Sequence, residues 1–253
     1  MSTPTPALPA HFVARPYEGR TPIVARDGWS VIAAFVFPTL GVLIAGLILR
    51  QMPVVGPTLL GLAFALALLS GWAIWFFRDP DRAPPAGENL DRALLCPADG
   101  VVVKVESASP PPEARADERP LVRVCVFMNV FNVHVNRSPC AGTVEAIHYH
   151  HGAFLNASFD KASELNERAA MVVRRDDGAR LIVVQIAGLV ARRIVSKVRT
   201  GQRLGPGERY GLIKFGSRVD LYLPEGFEPA VRVGQKVTAG VSVLARVRTA
   251  SPT

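Results

Sequence analysis

Two stretches of the chain carry no charge, Trp29 to Leu49 and Met52 to Phe77, and only Arg50 and Gln51 separate them. As helices rising 1.5 Å per residue, each would reach about 30 Å or more, the thickness of a bilayer's hydrocarbon core. The pattern predicts two membrane-spanning helices joined by a tight turn. Pro38 and Pro53 read as a kink and a turn, which membrane helices tolerate. The alternative is a buried helical hairpin in a soluble protein. From Leu94 onward the pattern changes to short β-rich runs: Gly100 to Val105, Leu121 to Phe127, Met171 to Val173, Leu181 to Ala187, Arg218 to Leu223 and Val241 to Val247. Ser107 to Pro120, rich in Pro, Ala and charge, reads as an exposed loop. Phe154 to Ala170, with Phe159, Ala162 and Leu165 at helical spacing, predicts the one helix outside the hairpin.

Among 253 residues, 49% are hydrophobic and the net charge is +8. That charge suits nucleic acid or an anionic membrane surface; no nucleic-acid motif is present, and the hairpin favours the membrane. A cleaved signal peptide is not expected, because 28 polar or mixed residues precede the first apolar run and a second follows at once. Arg15, Arg20 and Arg26 precede the hairpin and Arg78 and Arg82 follow it, against Arg50 alone in the turn. The positive-inside rule then puts both ends in the cytoplasm. Cys96, Cys125 and Cys140 are odd in number and form no CxxC pair, which fits a reducing compartment.

Pro97 to Val105 and Val231 to Ala245 resemble strands of the biotinyl/lipoyl barrel-sandwich, without the lysine hairpin that carries the prosthetic group there. The resemblance predicts a mainly β (α+β) fold, a barrel-sandwich-like domain in which the start and end of the soluble part pack together. Asp99 would then lie near the C-terminal segment.

Several residues could carry chemistry. Gly216-Ser217 is either a turn before a strand or a self-cleaving bond, since glycine leaves its carbonyl unshielded and Ser217 Oγ is a nucleophile beside it. Asp99 before Gly100 reads as a turn or a functional acid. His134, alternating with Val133 and Val135, reads as a solvent-facing strand residue or a base. His148, His150 and His151 invite a metal site. Adjacent and alternate histidines on an extended chain point apart, and no cysteine or carboxylate completes the set, so a polar loop near the active site is preferred.

Taken together, Cys96-Pro-Ala-Asp-Gly, Phe131-Asn-Val-His-Val-Asn-Arg-Ser-Pro, Phe215-Gly-Ser-Arg and Trp75-Phe-Phe-Arg-Asp-Pro-Asp-Arg resemble the phosphatidylserine decarboxylase proenzyme family, in its short bacterial and archaeal branch. The resemblance implies cleavage between Gly216 and Ser217, giving a β chain to 216 and an α chain from 217. It implies a pyruvoyl group derived from Ser217 that condenses with the substrate amine as a Schiff base. His134 would be the base for cleavage and Asp99 would fix its tautomer. No nucleotide or metal is implied. Asn166 and Glu167, in a segment that lies near the substrate in the family, are expected to bind or frame it, together with Phe131. The longer branch has a second histidine, linked to decarboxylation, where Phe131 stands here. Phe154, Leu155 and Phe159 are expected to dip into lipid.

The expected organisation is a cytoplasmic segment 1–28, a transmembrane hairpin 29–77 and a decarboxylase domain 78–253. The implied activity turns phosphatidylserine into phosphatidylethanolamine at the cytoplasmic side of the inner membrane. Membrane lipid and the two cleaved chains are the implied partners, and a homodimer is left open. The rival substrate is archaetidylserine. The rival class is a membrane-fusion adaptor with a lipoyl-like barrel, which lacks support in the absence of long heptad helices.

Overall fold

The uncharged stretches form two helices, α1 (Trp29–Ile48) and α2 (Val55–Phe76), preceded by a short 3-10 turn at Arg26–Gly28. These and all later features come from a computed structural model, which describes residues 23–115, 119–153, 165–188, 193–214 and 217–248. Small residues make the seam between the helices. Gly46 lies against Leu59 and Leu60, where a β-carbon would come within 3.0 Å of Leu60. Thr39 Oγ1 and Ser70 Oγ lie 3.0 Å apart across the seam, so one hydroxyl donates to the other, and the second donates to the carbonyl four residues before it, Phe35 O for Thr39 or Leu66 O for Ser70. Those bonds satisfy polar groups that apolar surroundings would penalise. Phe37, Ile48, Phe64 and Leu68 instead point outward. Both helices are long and apolar enough to cross a membrane. Pro38 lies inside α1 as expected, whereas α2 starts after Pro53.

The chain divides after Asp81, and the described part of the second unit is built mainly of β-strands. Its eight-stranded sheet runs β13-β2-β3-β11-β7-β6-β5-β9. The strands are β2 (Gly100–Ala108), β3 (Leu121–Met128), β5 (Gly142–His150), β6 (Arg168–Arg174), β7 (Arg180–Ala187), β9 (Arg203–Leu204), β11 (Ser217–Tyr222) and β13 (Lys236–Val237). Two three-stranded sheets complete it. One holds β4 (Val135–Arg137), β10 (Arg209–Lys214) and β8 (Arg193–Ser196), and the other β1 (Ala93–Leu95), β14 (Val243–Val247) and β12 (Phe227–Pro229).

Strand side chains alternate between faces, and here both faces of the central strands are covered. Val124, Val126, Met128, Met171, Val183, Val219 and Leu221 enter the larger, inner core. Ala170, Val172, Ile182, Val184, Ile186 and Tyr222 form a second cluster on the outer face, with Ala114. Burial on both faces explains why Leu181 to Ala187 reads as an almost unbroken apolar run.

The two barrel-like segments do meet. Cys96 N–H donates to Ser242 O and Gly240 N–H to Cys96 O, both at 2.8 Å, while Val102 exchanges backbone bonds with Gln235 and Gly234. Three local expectations are corrected. Residues 168–170 belong to β6, because Ala169 and Ala170 feed opposite cores at period two; Leu165 is helical as expected, and 154–164 lie outside the described residues, among them Phe154, Leu155 and Phe159, which were expected to dip into lipid. His148 and His150 end strand β5 instead of forming a loop. The loop expected at 107–120 begins only after Ala108, and it places Ala114 against the outer core and Glu113 on Arg168 at 3.0 Å.

Candidate active site

Ser217 is the first residue of β11 and is completely buried. It pairs with Met128 at the end of β3 on one side and with Ala187 at the end of β7 on the other. In this row the sheet brings three strand ends together, so side chains from distant parts of the sequence converge on residue 217. The hydroxyl has no hydrogen-bond partner among the described residues. Buried polar groups are nearly always bonded, and an orphan calls for an explanation such as a reactive role. Gly216 lies outside the described residues.

His134 reaches this region through β4. Its carbonyl accepts from Ile213 N–H at 3.3 Å, on the strand that ends three residues before Ser217, and the residue is 2% exposed. Asn136 fixes the strand against the inner face of the large sheet: its Oδ1 accepts from Gln185 Nε2 at 2.8 Å and its amide approaches the Met128 sulfur at 3.7 Å. His134 Nδ1 lies 2.9 Å from Asn132 O. A carbonyl can only accept, so Nδ1 carries the proton and the neutral ring keeps its basic lone pair on Nε2.

Asp99 stands immediately before β2, whose first residue, Gly100, lies against Phe127 O. It is thus at the same end of the sheet as Ser217, with β3 between β2 and β11. Its carboxylate takes both nitrogens of Arg82, at 2.5 and 2.8 Å, and Ala239 N–H donates to Oδ1 at 2.8 Å. Proximity to the C-terminal segment is therefore as expected. Asn132 O holds His134 Nδ1, and Asp99 ties the Arg82 and Ala239 segments together.

Asn166 and Glu167 are buried beside Ala187, the strand partner of Ser217. Asn166 Nδ2 donates to Ala187 O at 2.7 Å, and Ala187 N–H donates to Glu167 O at 2.9 Å. Gly152 permits the close approach of this segment, since a β-carbon there would fall 2.4 Å from Leu165 O. The Tyr149 phenol lies beside the Glu167 carboxylate; burial first, and then that carboxylate, push its pKa up. Phe131 is on the turn closed by Asn129 and Asn132 and is 62% exposed.

Cys96 offers no competing nucleophile. Burial pushes its thiol up to about 12, so it stays protonated at neutral pH, donating to Ala98 O at 3.0 Å. All three cysteines are free and buried. Among the described residues no cluster of histidine, cysteine or carboxylate could hold a metal.

The sequence reading named Ser217, His134, Asp99, Asn166 and Glu167 but passed over Arg82, Asn136, Tyr149 and Gln185. Arg82 had a signal, in the Arg-Asp-Pro-Asp-Arg run after the hairpin. Gln185 had one too, as the only polar residue in the apolar run of β7. Tyr149 and Asn136 had none apart from the register.

Comparison with known proteins bears on the same residues. The model of the phosphatidylserine decarboxylase family matches residues 69–245. The phosphatidylserine decarboxylase proenzyme of Paramagnetospirillum magneticum is 47% identical over 222 residues, 88% of this chain and 86% of that one. The proenzyme of Gluconacetobacter diazotrophicus is 45% identical over 235 residues, 93% and 96% of the two chains. That of Cereibacter sphaeroides is 55% identical over 178 residues, 70% and 75%. Similarity of this extent spans every strand end that converges on Ser217, and it makes the chain a member of the phosphatidylserine decarboxylase family.

Proposed function

We propose that the chain cuts its own backbone between Gly216 and Ser217 and then decarboxylates phosphatidylserine to phosphatidylethanolamine. The observation that carries this reading is the fully buried Ser217 hydroxyl with no partner among the described residues, at the meeting point of three strand ends. A buried hydroxyl without a partner among the described residues is available as a nucleophile.

Ser217 Oγ attacks the Gly216 carbonyl carbon, and the C–N bond breaks as the C–O bond forms, turning the peptide into an ester. Serine is a weak nucleophile at neutral pH, so its proton must leave during attack. His134 Nε2 takes that proton and passes it to the departing nitrogen of residue 217, and Asn132 O keeps the ring in the required tautomer. Loss of the α-proton of residue 217 then expels the ester oxygen, leaving Gly216 with a free carboxylate. The dehydroalanine left at 217 takes up water and releases ammonia, which yields a keto group.

That keto group, the pyruvoyl, supplies an electron sink for the bond to the departing carboxylate. The surrounding residues exclude water and frame the headgroup: Ala187 and Met128 flank residue 217, and Asn166 and Glu167 close the neighbouring strand end. The two helices anchor the enzyme in the membrane, and the arginines flanking them favour a cytoplasmic catalytic unit. A diacyl lipid rarely leaves the bilayer, so an anchored enzyme meets its substrate at the headgroup layer.

Denaturing mass spectrometry of the purified protein tests the reading. Two fragments meeting at 216/217 are expected, with a ketone at the start of the shorter one. The Ser217→Ala chain is expected to stay full-length and release no carbon dioxide; an intact Ser217 in an active preparation would refute the proposal.

A further inference from the structure

The strand register sets Glu167, Ala187 and Ser217 in one row across the large sheet. Ser217 pairs with Ala187, and Arg168 pairs with Ile186, which leaves Glu167 facing Ala187. Alternation along the strands gives each side chain its face. Glu167 is in phase with Ala169 and Met171, and Ser217 with Val219 and Leu221, all of which enter the inner core. Glu167 and Ser217 therefore share that face two strands apart, about 10 Å between backbones. Only the methyl group of Ala187 stands between them.

Glu167 differs from the other buried acids of the β unit. Asp99 is held by Arg82 and Asp220 by Arg218. Glu167 is 7% exposed, and its Oε1 has no hydrogen-bond partner among the described residues, with the Tyr149 phenol as the polar neighbour of the carboxylate. Holding the segment is not its task, because backbone bonds already do so: Glu167 N–H donates to Ala153 O at 3.0 Å and its carbonyl accepts from Ala187 N–H. Leaving a buried acceptor unbonded is costly, a penalty that functional sites retain.

Loss of carbon dioxide leaves a substrate carbon that must gain a proton. Phe131 is an exposed hydrocarbon side chain and has none to give. We infer that Glu167 is the acid that delivers this proton, with Tyr149 as the positioning residue beside it. The inference rests on the decarboxylase reading above and adds a residue to it. In the step, the bond from the substrate carbon to its carboxylate breaks, carbon dioxide leaves, and the electron pair passes into the sink at residue 217. The pair then returns to the substrate carbon, forming a C–H bond as the O–H bond of Glu167 breaks. The next substrate arrives as an ammonium and must shed a proton before its nitrogen can attack a carbonyl, and the Glu167 carboxylate accepts that proton. Each turnover thus replaces one carbon dioxide by one proton and restores the acid.

The test uses full-length Glu167→Gln in detergent micelles containing phosphatidylserine. Cleavage at 216/217 is expected to proceed as in the parent, with KM within about threefold and kcat lowered about 100-fold or more. With its acid missing, the electron pair is expected to pick up solvent protons at the carbon of residue 217 as well. Hydrolysis then leaves alanine at 217, which the mass of the α chain reveals after turnover and not before. A purely structural role would not produce that mark. Glu167→Asp, which keeps a carboxyl on a shorter stem, is expected to recover part of kcat. A Glu167→Gln enzyme with kcat within about threefold of the parent and no alanine at 217 overturns the inference while the decarboxylase reading stands. An uncut Glu167→Gln chain also overturns it, by moving Glu167 to the cleavage step. A parent enzyme that is uncut, or releases no carbon dioxide, refutes the underlying reading instead.

Discussion

Ala239 N–H donates to Asp99 Oδ1 at 2.8 Å, joining residues 140 positions apart in the chain. Arg82 binds both of them, pairing with the Asp99 carboxylate and donating to Ala239 O at 3.0 Å. The Arg82 and Asp99 side chains are only 11% and 12% exposed, so removing the guanidinium leaves a mostly buried carboxylate with a single donor. Arg82→Ala is expected to cost about 3 kcal/mol and to slow self-cleavage, because the segment before β2 loses its tie to the C-terminal strands. Arg82→Lys recovers only part of this, since a lysine cannot make the two-pronged contact. Melting temperature and the cut fraction on a denaturing gel read both effects, and an Arg82→Ala chain with parental values for each contradicts the assignment.

Gly100 is fixed by the same strand end. A β-carbon at this position would lie 2.0 Å from Phe127 O, a backbone atom in the β2–β3 ladder. Gly100→Ala therefore has to pry β2 from β3, right beside Asp99. An expected loss of more than about 3 kcal/mol would appear as poor soluble yield and little cleavage; a normally cut, normally stable protein would show that the ladder can yield.

On the outer face, directly after Ser217, Arg218 and Asp220 form a two-pronged ion pair at 2.8 and 3.0 Å, each 1% exposed. Arg123 adds to it, 3.6 Å from Asp220, while also pairing with Glu106 and donating to the Tyr222 hydroxyl at 3.2 Å. Removing one member of a buried pair leaves its partner buried without that opposing charge. Asp220→Asn is expected to lower stability by about 3–5 kcal/mol, whereas the double change Arg218→Met with Asp220→Leu should cost less than the single one. Thermal unfolding of the variants ranks them, and the reverse order would show that the pair's net attraction exceeds its desolvation cost.

These elements differ in how visible they were in the sequence. The hairpin was plain because uncharged runs of that length have few other uses. Six strands were plain from their apolar runs, yet β1, β4, β8, β9, β12 and β13 were too short to stand out from turn residues, and in β5 and β10 polar and glycine positions broke up the apolar run. The 168–170 segment misled because alanines suit both periods, and only the presence of a core on each face decides for a strand. Ser217, His134 and Asp99 were singled out by the motifs around them. Their partners were not: Asn132 O on His134 is a backbone contact with no side-chain signature, and Arg82 on Asp99 depends on how the fold closes. Arg218 and Asp220, opposite charges two apart on a strand, carried a signal that went unread.

Strand β5 carries the acid sensitivity of the outer face. Burial holds the His148 pKa below the ordinary 6.5, against the opposing pull of Glu113. His150 shifts the same way, through burial first and then Arg168, with His151 adding to the shift and Glu113 opposing it. Near pH 6.5 the unfolded chain binds more protons at these rings than the folded chain does. Their contribution is therefore complete above about 6.5 and declines as pH falls through the lower, folded-state values. Glu113 acts in a separate window: burial, the largest single influence, raises its pKa, but Arg168, its own backbone N–H and His150 together bring it below 4.5, so its contribution is present above 4.5 and is lost only below that. His148→Gln should flatten the decline in melting temperature just below pH 6.5 and leave the steeper loss below 4.5 in place. Melting curves across both windows check this, and an unchanged upper slope in the variant would place the acid sensitivity elsewhere.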